Sequence, residues 1–90
     1  LNQYDKYLGV KELLPFAKGI SAKSTQFDLK GNETTTNFKK MLRLIKKSNF
    51  EGYMSIEYEG AIRDTFSQKN NHLSTHDGIL ATKKLLEKYI

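Results

Sequence analysis

Glu57 and Glu59 stand two residues apart in the run Tyr53-Met54-Ser55-Ile56-Glu57-Tyr58-Glu59. In extended backbone both fall on one face with Ser55, and Met54, Ile56 and Tyr58 fall on the other. If the apolar set packs on helices, the carboxylates point away from them. A carboxylate held there needs a metal, a cation or water. Lys23 shares a face with Ser21 in the run Gly19-Ile20-Ser21-Ala22-Lys23-Ser24. It either orients a phosphate or hydroxyl, or simply neutralises Glu57 in a salt bridge.

The remaining polar residues carry weaker signals. His72 and His76 have i, i+4 spacing, which makes a metal pair only if both lie on one helix, and His72 sits in an Asn-rich stretch. Asp28 and Glu33 follow the Gly19–Ser24 run, on the side where a substrate would sit, although a loop carboxylate is ordinarily just solvated. Tyr53 and Tyr58 read as packing residues. The chain contains no Cys, which removes disulfides, zinc fingers and thiol catalysis. It shows no P-loop, Ser-His-Asp set or dinucleotide fingerprint.

Five elements must position these groups. A helix is expected over Val10–Ala17, shortened or kinked by Pro15, with Leu8, Leu13, Leu14, Phe16 and Ala17 as its apolar set. Gly19–Ser24 reads as a strand, and residues 25–36 as a polar loop turning at Gly31-Asn32. A connection of that length in a small domain points to function. The spacing of Phe38, Met41, Leu42 and Ile45 predicts a helix over 37–48, capped by Thr36 or Asn37. Tyr53–Glu59 reads as the second strand, ended by Gly60. Residues 61–74 read as a second polar loop. A last helix is expected from His76 to Tyr89, with Ile79, Leu80, Leu86 and Ile90 on its apolar side and Ser74 or Thr75 as its cap. The order helix, strand, helix, strand, helix argues for parallel strands joined by crossovers. Two parallel strands cannot have both faces buried in a chain of 90 residues. Either they pair with another copy, or the chain is part of something larger.

Charge and composition narrow the partners. The net charge of +5 invites a nucleic-acid reading, but the lysines are spread in pairs such as Lys39-Lys40 and Lys83-Lys84. A solvated helix face produces such pairs, so nucleic acid is not the expected partner. Apolar stretches reach only two or three residues, so no membrane partner is expected. No signal segment is visible, and the expected location is the cytoplasm. Exposed strand edges lead us to expect a homo-oligomer.

The string Gly9-Val-Lys-Glu-Leu-Leu-Pro-Phe-Ala-Lys-Gly-Ile-Ser-Ala-Lys-Ser24 resembles the carboxyl-terminal part of a sugar phosphate isomerase/epimerase of the xylose isomerase-like TIM-barrel family. The likeness extends to Phe27-Asp28, Gly31-Asn32-Glu33, Gly52-Tyr53, Ile56-Glu57-Tyr58-Glu59-Gly60, Asp77-Gly78-Ile79 and Thr82-Lys83-Lys84-Leu85-Leu86. It covers nearly the whole chain and is thinnest over residues 61–74. The family implies an α/β fold of parallel β/α units. Residues 1–90 would be one segment of a partial (β/α)8 barrel, about its last two strands with flanking helices. It also implies a sugar or sugar phosphate substrate and a divalent metal (manganese, magnesium, cobalt or zinc) in the full-length protein. On that mapping Glu57 is the metal ligand and a catalytic residue, Glu59 the second candidate ligand, and Lys23, the lysine of a His-x-Lys-type pattern, the other catalytic residue. Ser21 stands where that pattern has His, and Thr25 where close relatives often have His. A complete barrel takes about 250 residues. The chain alone is therefore expected to be inactive and to hold no metal. The competing expectation is a non-catalytic, self-associating β/α module.

Overall fold

In the computed structural model, which describes residues 5–68 and 70–89, two parallel strands are joined and flanked by four helices. Helix α1 spans Lys6–Leu13 and is followed by a 3₁₀ turn at Leu14–Phe16. Strand β1 is Gly19–Ser24, α2 is Phe38–Lys47, and β2 is Tyr53–Tyr58. Two helices follow, α3 over Gly60–Ser67 and α4 over Thr75–Tyr89.

The helix ends follow from local chemistry. Asp5 caps α1 by accepting from the Tyr7 and Leu8 amides, so the helix starts at Lys6 rather than at Val10. Pro15 has no amide proton to continue the ladder, and the chain tightens into the 3₁₀ turn instead of running on to Ala17. Asn37 caps α2, its side chain accepting from the Lys40 amide at 3.0 Å. The Ser74 hydroxyl accepts from the Asp77 amide at 3.1 Å and serves α4 in the same way.

Strands β1 and β2 pair in register, Gly19 opposite Tyr53 through Ser24 opposite Tyr58. Helix α4 packs across both strands and against α2. The buried core is Leu14, Ala22, Phe38, Leu42, Ile45, Leu85 and Leu86, with Ile20, Met54 and Ile56 packed against it. All the core positions on the strands lie on the face turned to the helices.

Three expectations need correction. Residues 61–67, expected as part of a loop, belong to α3. Ile79 and Leu80 are 41% and 44% exposed, because α4 turns Gly78, Thr82, Leu85 and Leu86 inward instead. Leu13 and Phe16 are 66% and 84% exposed, since the 3₁₀ turn rotates them away from the face that buries Leu14. Tyr4 and Ile90 lie outside the described residues.

Tyr58 explains why α4 presents small residues. Its ring lies where a side chain on Gly60 or Gly78 would have to be, and its hydroxyl donates to the Leu73 carbonyl at 2.6 Å. At the end of β1, the Ser24 and Thr82 hydroxyls lie 2.6 Å apart, both fully buried. These contacts fix the carboxyl end of the sheet against α4.

Candidate functional site

The sheet face turned away from the helices carries Ser21, Lys23, Ser55 and Glu57, all exposed. Alternation along two in-register strands puts them there, as expected. The Ser21 hydroxyl donates to Glu57 Oε2 at 2.8 Å. Lys23 stands opposite Glu57 in the ladder, but its ammonium goes to Glu59 Oε1 at 3.1 Å. The alternative of a Lys23–Glu57 salt bridge is therefore not what forms. Arg63 on α3 also approaches Glu59, at 3.7 Å.

Glu59 is not a strand residue. Its amide donates to the Ser24 carbonyl at 2.9 Å, and its backbone then turns into the first position before α3. It leaves the face it would share with Glu57 and becomes the less exposed of the two.

Glu33 proves to be a loop organiser. Its buried carboxylate accepts from the Thr25 and Gln26 amides at 2.7 and 3.1 Å, and from the Thr35 and Thr36 amides at 2.5 and 2.7 Å. The Thr35 hydroxyl adds a further bond at 2.7 Å. Burial pushes this carboxyl's pKa up, but the bonds from Thr35, Thr25, Gln26 and Thr36 outweigh it and hold the group below its ordinary value. Asp28 likewise closes its own turn, accepting from the Lys30 and Asn32 amides at 2.9 Å.

Asp64 does the same for residues 70–74. It accepts from the Asn71 and His72 amides at 3.1 and 2.8 Å, and its Oδ1 lies 2.6 Å from His72 Nδ1. Burial raises its pKa, yet the His72 side-chain bond and the two amides bring it below the ordinary value. His72 pairs with Asp64, whereas His76 lies beside Asp77 on α4, so the i, i+4 spacing makes no metal pair. Among the described residues no three His, Asp or Glu side chains gather as a metal-binding group. Tyr58 packs as expected, but Tyr53 is 73% exposed, its ring lying over Gly19.

The Asp64–His72 pair has no mark in the sequence: it lies in a stretch without apolar periodicity, and a separation of eight residues follows no spacing rule.

No protein-family model matches this sequence, and no curated protein matches it. No helix among the described residues is long and apolar enough to cross a membrane.

Proposed function

We propose that this chain is the carboxyl-terminal part of a sugar phosphate isomerase/epimerase, contributing two strands of a (β/α)8 barrel of the xylose isomerase-like kind. The observation that carries the reading is the bare polar face of a parallel sheet. Parallel strands are ordinarily covered on both sides. Here helices cover one side, and the other presents Ser21, Lys23, Ser55 and Glu57. A face of that composition suits the inside of a barrel at its active end, where polar side chains from neighbouring strands meet a substrate.

In this reading Glu57 is the metal ligand. Its carboxylate is exposed and, among the described residues, is held only by Ser21, so it remains accessible to a cation. Glu59, engaged by Lys23 and Arg63, supports the site from beside it. Bound in the complete barrel, the divalent metal would polarise a substrate carbonyl or hydroxyl. The described residues do not supply a full ligand set, so no chemical step belongs to this chain alone, and it is expected to show no turnover. The other ligands would come from the remaining strands. Metal titration of the full-length protein tests the assignment. Glu57→Gln is expected to abolish binding, and Glu59→Gln to weaken it by ~10–100-fold, the usual cost of a supporting contact. Loss of binding with Glu59→Gln and not with Glu57→Gln would reverse the assignment.

A second reading, a self-associating module without chemistry, draws on Phe16 and Phe66, each 84% exposed, and on strands that each have one partner in the sheet. Light scattering separates it: this reading requires the chain to form a discrete oligomer.

A further inference from the structure

The chain carries 15 Lys and Arg against 10 Asp and Glu, a net charge of +5. Helix α2 holds five of the cations, Lys39, Lys40, Arg43, Lys46 and Lys47, and no acid, so the rest of the chain is balanced at 10 of each sign. All five are exposed, and none forms an ion pair among the described residues. At about 3.6 residues per turn and a rise of about 1.5 Å, they fall within an arc of roughly 120° and a stripe about 12 Å long. The helix lays Phe38, Leu42 and Ile45 into the core, so the arc points away from the sheet.

Local stability does not account for this stripe. Arg43 stands three or four residues from each of the other four cations, and like charges at those spacings repel. The helix dipole favours Lys46 and Lys47 in the last turn but disfavours Lys39 and Lys40 in the first. The Lys40 ammonium lies 4.2 Å over the Tyr7 ring, a contact that leaves its charge in place. An ordinary solvated helix mixes its signs, as α4 does by carrying Asp77 and Glu87 among its lysines.

We propose that the exposed face of α2 binds the phosphate backbone of nucleic acid without reading its sequence. Duplex DNA carries one negative charge per about 1.7 Å of axis, so a stripe of this length meets several phosphates at once. The Arg43 guanidinium at its centre adds a fork of donors that matches phosphate oxygens. Two other anionic partners fit less well. Interfaces with proteins are depleted of Lys and centre on apolar and aromatic residues, and the arc holds none of these. A helix on a membrane surface buries an apolar face in lipid, and α2 has buried its own in the core. The pairs Lys39-Lys40 and Lys46-Lys47, which read singly as a solvated surface, thus join around Arg43 into one patch, against the expectation that nucleic acid is not a partner. The proposal does not rest on the isomerase assignment, because α2 lies on the opposite side of the sheet from Ser21 and Glu57.

The test is fluorescence anisotropy of a labelled mixed-sequence DNA duplex titrated with the 90-residue chain over a range of salt. Binding is expected to be saturable at about 50 mM salt, with log K falling against log salt at a slope of roughly −3 to −4, as for about four phosphate contacts. Lys39→Gln, Arg43→Gln and Lys47→Gln made together should weaken binding by ~10-fold or more and make the slope shallower by about 2 or more. Lys18→Gln, Lys30→Gln and Lys83→Gln made together remove the same charge from three separate elements and should leave the slope unchanged. Circular dichroism checks that each variant is folded. Should the α2 triple variant fail to fold, Arg43→Gln alone gives the same reading, with a slope shallower by about 0.9. A chain that shows no saturable binding at that salt overturns the proposal, as does equal weakening by the two triple variants. Tighter binding of phosphatidylserine vesicles or of polyglutamate than of the duplex overturns the choice of partner. Retained duplex binding in a chain whose Glu57→Gln change leaves metal titration of the full-length protein unaffected would uphold the α2 surface while removing the isomerase assignment.

Discussion

The Ser21 hydroxyl donates to Glu57 Oε2 at 2.8 Å, reaching diagonally across the parallel ladder. Lys23 pairs with Glu59 instead, so among the described residues Glu57 carries no partner of opposite charge. Its position is set by a neutral donor.

Glu57→Gln should therefore leave the stability of this chain within ~0.5 kcal/mol of the parent, as for exposed substitutions generally. Glutamine keeps an oxygen for Ser21, and Lys23 keeps Glu59. Urea unfolding of the two chains checks this. A loss of several kcal/mol would show that Glu57 is held by more than Ser21.

The parts of this fold that could be read in advance share one property: their side chains repeat with a period. Phe38, Met41, Leu42 and Ile45 mark α2, and the alternation around Ile56 and Glu57 marks β2. Helix α3 has no such mark. Ile62 and Phe66 sit one turn apart but are 60% and 84% exposed, and Glu59 offers no capping side chain. In α4 the inward residues include Gly78 and Thr82, chosen by the Tyr58 ring and the Ser24 hydroxyl rather than by hydrophobicity. The sheet-face residues Ser21, Lys23 and Glu57 were legible from alternation alone. The partner each takes was not, because the step of Glu59 out of the strand decides it.

Glu33 should make the chain acid-sensitive. Its carboxyl is held below its ordinary value of 4.5 in the folded state, so the unfolded chain binds the proton more readily. The stabilisation is fully present above that ordinary value and is lost as pH falls toward and through the folded value. Glu33→Gln should remove this part of the acid slope. It should also cost about 2–3 kcal/mol at neutral pH, because an amide group cannot accept from all the donors converging there. Thermal or urea unfolding from pH 7 down to about 3 reads both effects. An unchanged acid slope in the variant would show that Glu33 does not carry it.

Gly78→Ala should destabilise the chain even though alanine favours a helix interior by about 1 kcal/mol over glycine. The new methyl would land on the Tyr58 ring, whose hydroxyl is tied to the Leu73 carbonyl and whose edge meets Phe27 at 6.3 Å between centroids. Overpacking of this kind costs about 1–3 kcal/mol. In a Tyr58→Ala background the same change should be neutral or stabilising. If the penalty persists there, the ring is not its cause.

Ser24 and Thr82 should behave unequally despite their mutual bond. The Thr82 hydroxyl donates to the Gly78 carbonyl at 2.8 Å, so its single proton is spent within α4. Ser24 must then be the donor across the 2.6 Å contact, with Thr82 accepting. Thr82→Val keeps the shape but leaves the Ser24 proton without a partner in a fully buried place. Orphaned buried donors cost roughly 1–3 kcal/mol. Ser24→Ala removes the donor, while Thr82 still donates to Gly78, and only an acceptor lone pair falls idle. The serine change should be the milder of the two. Combining them removes both polar groups, and the loss should be smaller than the sum by about 0.5 kcal/mol or more, as for directly bonded neighbours. A double-mutant cycle by urea unfolding measures all three values. If Ser24→Ala costs more than Thr82→Val, the donor and acceptor are reversed. If the two losses simply add, the contact does not tie the carboxyl end of β1 to α4.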